Sequence, residues 1–196
     1  MSQVHVVPIM DAIYHPGQCF KDITLVIKNQ TNIVGEAHIT LLNCKKMEDE
    51  GKTLRNVASM VAEDMHFAFT ALSKQDRFSC IISCGDDMQC RTPIIAYLSR
   101  IYIFPKYRRQ GFAEAFVRMI PEIVENITMS APLAVAVYVS PQSKEQNGEN
   151  DTHIDLTNKE QQEMCHHMKH LFQKCGYFYP SKEKRYARCL CWVEEK

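Results

Sequence analysis

The stretch 94–120 constrains this chain more than any other part of it, reading IIAYLSRIYIF, then PKYRRQGFA, then EAFVRMI. The first block is a β-favouring, mostly apolar run, the second a short basic loop, and the third has the apolar spacing of a helix. Pro105 ends ladder pairing and turns the chain outward. A strand that empties through a tight loop into a helix is an anion site by construction. The first helical turn presents N–H groups without intrahelical partners and carries the positive end of the helix dipole. Gly111 lets the backbone come close to a bound group because no Cβ intervenes. Lys106, Arg108 and Arg109 add positive charge, which is purely local, because 23 Lys and Arg balance 23 Asp and Glu. The same residues also suit an ordinary strand-to-helix turn with exposed arginines.

The rest of the chain supplies a body for that segment. VHVVPI (4–9) reads as a short first strand, followed by a loop or brief helix around Pro16 and Gly17. ITLVIKN (23–29) and IVGEAHITLL (33–42) form a hairpin about QTN. In the second run Gly35, Ala37, Ile39 and Leu41 alternate with Glu36, His38 and Thr40, giving one apolar and one titratable face. That polar face is either functional or simply wet. Leu54, Val57, Val61, Met65, Phe69 and Leu72 set the stripe of one amphipathic helix over 52–74. A further strand is expected at 77–83, and another at 132–141, whose continuous apolar character suits burial on both faces. Pro121 predicts a kink or a fresh turn near Ile120.

Residues 142–157 have almost no apolar content and read as a mobile loop, either a substrate lid or a plain solvated connection. Thr157 with Glu160 makes a capping box that opens a helix with Met164, Met168, Leu171 and Cys175 on one stripe. The last strand is expected over 185–193. At 196 residues and 45% hydrophobic content the chain is expected to form one soluble domain, 1–196. With no apolar run long enough to span a bilayer and no secretory start, the expected compartment is the cytoplasm, with no membrane partner.

Nine cysteines at scattered positions, an odd number without a CxxC pair, read as free thiols. The richest ligand cluster is Cys165, His166, His167 and His170. It holds a single i, i+4 histidine pair and lacks the further ligands of a closed zinc site, so no metal is expected. Zero net charge and the absence of a spaced basic–aromatic stripe argue against nucleic acid.

On the residues quoted from 94–113, the chain resembles the GNAT superfamily of acetyl-CoA-dependent N-acetyltransferases. The family signature is Gln or Arg, two residues, Gly, one residue, then Gly or Ala. Arg108, Gly111 and Ala113 fill it here. The resemblance extends over about 94–179 and includes HLFQKCGYF, where Gly176 and Tyr177 match a later Gly–aromatic pair. It implies an α+β, three-layer fold: a mixed, mostly antiparallel twisted sheet, helices on both faces and a splayed central strand pair. It further implies that amides from Arg109, Gln110, Gly111, Phe112 and Ala113 cradle the CoA pyrophosphate. The backbone of Ile101, Tyr102 and Ile103 would pair with the pantetheine arm as an added strand.

Two positions depart from the family pattern. Phe172 stands where a Tyr often protonates the departing sulfur, and Tyr97 stands where some members carry a catalytic Glu. Tyr177 and Tyr179 are nearby substitutes for the acid, and Glu36 and His38 are the alternative bases. The lack of an evident base leans towards less basic amines as acceptors. The implied activity is acetyl transfer from acetyl-CoA to a primary amine of a small molecule or a peptide, in a ternary complex. The rival is a non-catalytic acyl-CoA-binding regulator of the same fold. A homodimer is left open.

Overall fold

The computed structural model describes residues 4–9, 19–73, 93–140, 144–146, 153–155 and 157–193. Among the described residues six strands form one sheet in the order β1-β2-β3-β4-β5-β8. They are β1 (Val4–Ile9), β2 (Phe20–Asn29), β3 (Asn32–Asn43), β4 (Ile94–Ile103), β5 (Pro132–Tyr138) and β8 (Cys189–Val193). Every neighbouring pair is antiparallel except β4 and β5, which are parallel and are joined by helix α4 (Phe112–Thr128). Parallel neighbours need such a crossover, since a tight turn only reverses the chain. The hairpin β2–β3 turns at Gln30 and Thr31, with Gln30 left-handed at φ 54°.

Helices cover both faces. On one side α4 and α5 (Asn158–Lys174) bury Phe112, Phe116, Ile120 and Phe172 against Ala37, Ile39, Leu98 and Val137. On the other, α2 (Leu54–Val61) and α3 (Glu63–Leu72) bury Leu54, Val57, Met65 and Phe69 against Ile95, Tyr97, Ala134 and Ala136. Because β5 and the first half of β4, Ile94–Leu98, are covered on both faces, their sequence is apolar without alternation. Each fully buried large side chain of this kind contributes about 1.5–3 kcal/mol. The expected mixed, mostly antiparallel sheet with helices on both faces is therefore present.

Several boundaries differ from the sequence reading. The single helix expected over 52–74 is two helices, broken at Ala62, whose backbone is extended at φ −161° and ψ 147°. The apolar stripe runs through the break because Val61 and Met65 keep four-residue spacing, so periodicity does not register it. A short helix, α1 (Cys44–Asp49), precedes them and is capped by Asn43, whose Oδ1 accepts from Lys46 N at 2.9 Å. Pro121 starts no new helix. It lies inside α4, where it removes one donor from a 17-residue element anchored along its length by buried side chains.

Residues 144–146 and 153–155 pair as a small antiparallel sheet, β6 (Lys144–Gln146) with β7 (His153–Asp155), inside the stretch read as a loop. The final strand starts at Cys189, and a 3₁₀ turn, Lys184–Tyr186, occupies the earlier part of its expected range. The strand expected at 77–83 and the loop at Pro16 and Gly17 lie outside the described residues. The capping box opens α5 as expected, with Glu160 N donating to Thr157 Oγ1 and Thr157 N donating to Glu160 Oε2. Six described cysteines are free thiols. Among the described residues, no helix is long and apolar enough to cross a membrane.

Candidate acyl-CoA cleft

The site arises where β4 and β5 part. Their parallel pairing ends at Leu98 with Val137. Beyond that point β4 stays with β3 as far as Ile103 opposite Gly35. β5 stays with β8, and Val139 N donates to Arg188 O at 2.8 Å. Ser99 marks the divergence. His38 pairs with Arg100 and Ile39 with Leu98, which leaves Ser99 as a bulged residue whose hydroxyl donates to His38 O at 3.1 Å. A bulge bends and twists its strand, and this one swings the end of β4 away from β5.

Gly35 holds β4 close to β3 at the same level. A Cβ on Gly35 would lie 2.3 Å from Tyr102 O and 3.1 Å from Ile103 Cα, so only glycine fits. Phe104 N donates to Val34 O at 2.9 Å, which places Phe104 in a hydrogen-bonded pair with β3. By the alternation of antiparallel ladders, Ile101 and Ile103 then direct their main-chain groups towards the parted edge, and Tyr102 directs its own towards β3. Arg108 Nε donates to Ile103 O at 3.0 Å, and its guanidinium lies 5.5 Å from the Tyr102 ring centre.

A cavity of about 320 Å³ fills the gap. Its walls include Leu98, Val137, Met168 and Phe172, which are apolar, together with Arg108 and Ala113 near the start of α4 and Asp64 at the start of α3. It thus takes lining from both helical layers at the place where the sheet opens.

The loop into α4 has an anion-binding shape. Arg109 is left-handed at φ 60°, and Gly111, the helix N-cap, at φ 84°. Among the described residues the amides of Gln110, Gly111, Phe112 and Ala113 donate to no acceptor. Ala115 is the first to do so, to Gly111 O at 3.0 Å. A Cβ built on Gly111 meets nothing within 4 Å, so the space beside these amides is open. Gly111 thus leaves room for the close approach read from the sequence and adopts a backbone conformation that L residues resist. Glu114, in the first turn, is a local negative charge. Hydrogen bonds from Lys174 (2.7 Å) and Arg118 (3.2 Å) hold its carboxyl below the ordinary range and tie the start of α4 to the end of α5.

Of the residues assigned to cosubstrate binding, Ile101, Tyr102, Ile103, Arg108 and Ala113 border the cavity. Arg109 and Gln110 are exposed on the loop, and Phe112 is a core side chain whose amide alone faces the open space. The four assigned to catalysis lie outside the cavity wall. Glu36 and His38 are half-exposed neighbours on β3, Glu36 Oε1 being 3.5 Å from Arg100 Nη2 and 3.9 Å from His38 Nε2. Arg100 itself borders the cavity. Tyr97 is buried under Phe69 of α3, with ring centres 5.9 Å apart. Burial first, and then the nearby Asp64 carboxylate, hold its phenol well above its ordinary pKa. Tyr177 is buried behind Phe172, ring centres 5.1 Å apart, and burial likewise raises its phenol. Its hydroxyl has no hydrogen-bond partner among the described residues. His166 and His170 are exposed on α5, while Cys165 borders the cavity.

The sequence reading missed Asp64, Ser99 and Tyr138 at the cavity. Burial comes first among the causes that raise the Asp64 carboxyl above the ordinary carboxylate range; Glu63 adds to it and Arg188 opposes it. Nothing in the sequence distinguished Asp64 from the solvated face of an amphipathic helix.

No family model and no curated protein matches this sequence. Among solved structures, the apo form of an agmatine N-acetyltransferase mutant aligns with 87% of this chain and 76% of its own, at 10% identity and a TM-score of 0.41. So distant a likeness carries no weight for the chemistry of this cleft.

Proposed function

We propose that the protein is an acetyl-CoA-dependent N-acetyltransferase. The observation that carries this reading is the parting of β4 from β5 after Leu98 and Val137, immediately beside the open amides that begin α4. A diphosphate suits the amides of Gln110 to Ala113, with Arg108 as a counter-charge. The edge groups of Ile101 and Ile103 suit an extended amide-bearing arm laid alongside them as a strand. The apolar walls from Leu98, Val137 and Phe172 then surround the thioester. In the transfer itself an amine nitrogen bonds to the thioester carbonyl carbon, the C–S bond breaks, and the thiol leaves.

Phe172 at the cavity wall holds no proton for the departing sulfur, and the Tyr177 hydroxyl is enclosed behind it. Losing a general acid costs about 10²- to 10⁴-fold, yet a thiol of pKa near 8.5 is already a tolerable leaving group at neutral pH. This departure supports a second reading, a protein that binds acyl-CoA without turning it over. The two separate on thiol release. Wild-type protein incubated with acetyl-CoA and a panel of peptides, polyamines and small amines should liberate free CoA with at least one of them. CoA binding without thiol release would favour the second reading, and absence of CoA binding would overturn both.

A further inference from the structure

The charged groups that border the cavity are unevenly placed. Arg108 and the α4 amides supply positive charge on the α4 side, and Arg100, which borders the cavity on the Asp64 face of the sheet, is engaged by Glu36, its Nη2 lying 3.5 Å from Glu36 Oε1. Asp64, on the α2–α3 side of the sheet, is the one acidic side chain among the described residues that border the cavity. A carboxylate there repels phosphate, so this end does not serve the nucleotide. Among the described residues no hydrogen bond or ion pair engages the Asp64 carboxylate. The groups around it are Glu63 on its own helix, Tyr97 from β4, Cys189 from β8 and Arg188 just before β8. Tyr97 and Cys189 are neutral near pH 7, the Cys189 thiol being pushed up to about 12 chiefly by burial. The exposed Arg188 is offset by Glu63. A partly buried carboxylate without a partner is costly, and a cationic ligand supplies the missing charge.

We infer that Asp64 forms the acceptor subsite, that it selects a primary alkylammonium ion, and that it takes the proton which frees the amine for attack. The inference rests on the acetyltransferase reading and deepens it. The raised basicity of Asp64 suits it to this transfer better than an ordinary carboxylate. The protons balance: one passes from the ammonium group to Asp64 and on to solvent, and the second, lost from nitrogen as the amide forms, accompanies the departing thiolate. The Ala62 break gives this position its meaning, because it starts a new helix whose first turn carries Asp64 to the opening of the sheet. The acceptor is thereby a basic amine, against the lean towards weakly basic amines drawn from the missing base.

The test compares wild type, Asp64→Asn and Asp64→Glu. Calorimetry first measures CoA affinity, which should agree within about twofold across the three. CoA-loaded protein is then titrated with butylamine, cationic at neutral pH, and turnover is followed as free CoA with butylamine and with aniline, which is neutral there. The expected result is a loss of at least tenfold in butylamine affinity and about a hundredfold in kcat/KM for D64N. Aniline should change by less than tenfold, D64E should recover part of the loss, and the acid limb of the butylamine pH profile should move upward in D64N, from the ionisation of Asp64 to that of the amine itself. Equal losses for both amines, wild-type butylamine binding by D64N, or no butylamine binding by CoA-loaded wild type would overturn the inference. Failure of wild type to bind CoA would instead remove the reading beneath it.

Discussion

Replacing Gly111 by alanine separates the room that residue leaves from the backbone conformation it adopts. At φ 84° an L residue is strained, and the cost is about 1–2 kcal/mol. No steric term adds to it, because the new Cβ meets nothing within 4 Å. For a chain of this size such a loss lowers Tm by about 2–8 °C. The methyl group occupies the space beside the free amides of Gln110 to Ala113. It would displace at least one charge-assisted hydrogen bond to phosphate, worth about 1.5–3 kcal/mol. CoA affinity should therefore fall about tenfold to a hundredfold. Gly51→Ala is the control, since Gly51 is also left-handed, at φ 64°, also has open space around its Cβ, and lies outside the cleft. Calorimetric titration with CoA beside thermal unfolding should show both variants losing similar stability and G111A alone losing affinity. Unchanged CoA affinity in a folded G111A protein would refute the cradle.

Gly35→Ala should act oppositely. Its Cβ would meet backbone at 2.3 Å, so β3 and β4 must shift, costing about 3 kcal/mol or more and lowering Tm by about 6–12 °C; a change below 2 °C in thermal unfolding would contradict the tight approach. Tyr177→Phe removes a buried hydroxyl that has no partner, so stability should hold or rise by up to about 1 kcal/mol in denaturant titration, and thiol release should stay within threefold. A hundredfold loss of thiol release would restore Tyr177 as the acid. Asp64 binds its proton more tightly in the folded state, so stability falls as pH rises from the ordinary aspartate pKa through the raised folded value. Asp64→Asn should therefore match wild-type Tm below that window and exceed it at pH 7, and a lower Tm than wild type at pH 7 would contradict the burial argument.

The parts of the molecule legible in the sequence are those where burial writes a local pattern. The first half of β4 is sheltered on both faces and reads as an apolar run, and α4 carries the stripe Phe112, Phe116, Ile120, Ile123 in helical spacing. The basic loop between them was visible because Pro105 and Gly111 punctuate it. The cleft was less legible, because it depends on register. The Ser99 bulge changes the parity of β4, so that Arg100 and Tyr102 share a face with Tyr97, where strict alternation would have placed Ser99 and Ile101. Alternation alone therefore misassigns every side chain beyond it. The Ala62 break is similarly silent, since one extended residue leaves the stripe intact while changing what the start of α3 reaches. Asp64 came to the cleft by that route and carried no sequence mark of it. Tyr177 was assigned from its place after Gly176, but the turn that follows α5 folds its ring behind Phe172 and encloses the hydroxyl.

The central claim is that a diphosphate-bearing acyl carrier lies across the gap between β4 and β5 with its phosphates on the amides that open α4. Isothermal titration of the intact wild-type protein with CoA and with 3′-dephospho-CoA tests it most directly, with pantetheine, which lacks the diphosphate, as the comparison. Saturable uptake of both nucleotides at one site, with pantetheine at least tenfold weaker, is the predicted result. Absence of heat with either nucleotide, or pantetheine binding as tightly as CoA, would contradict the account.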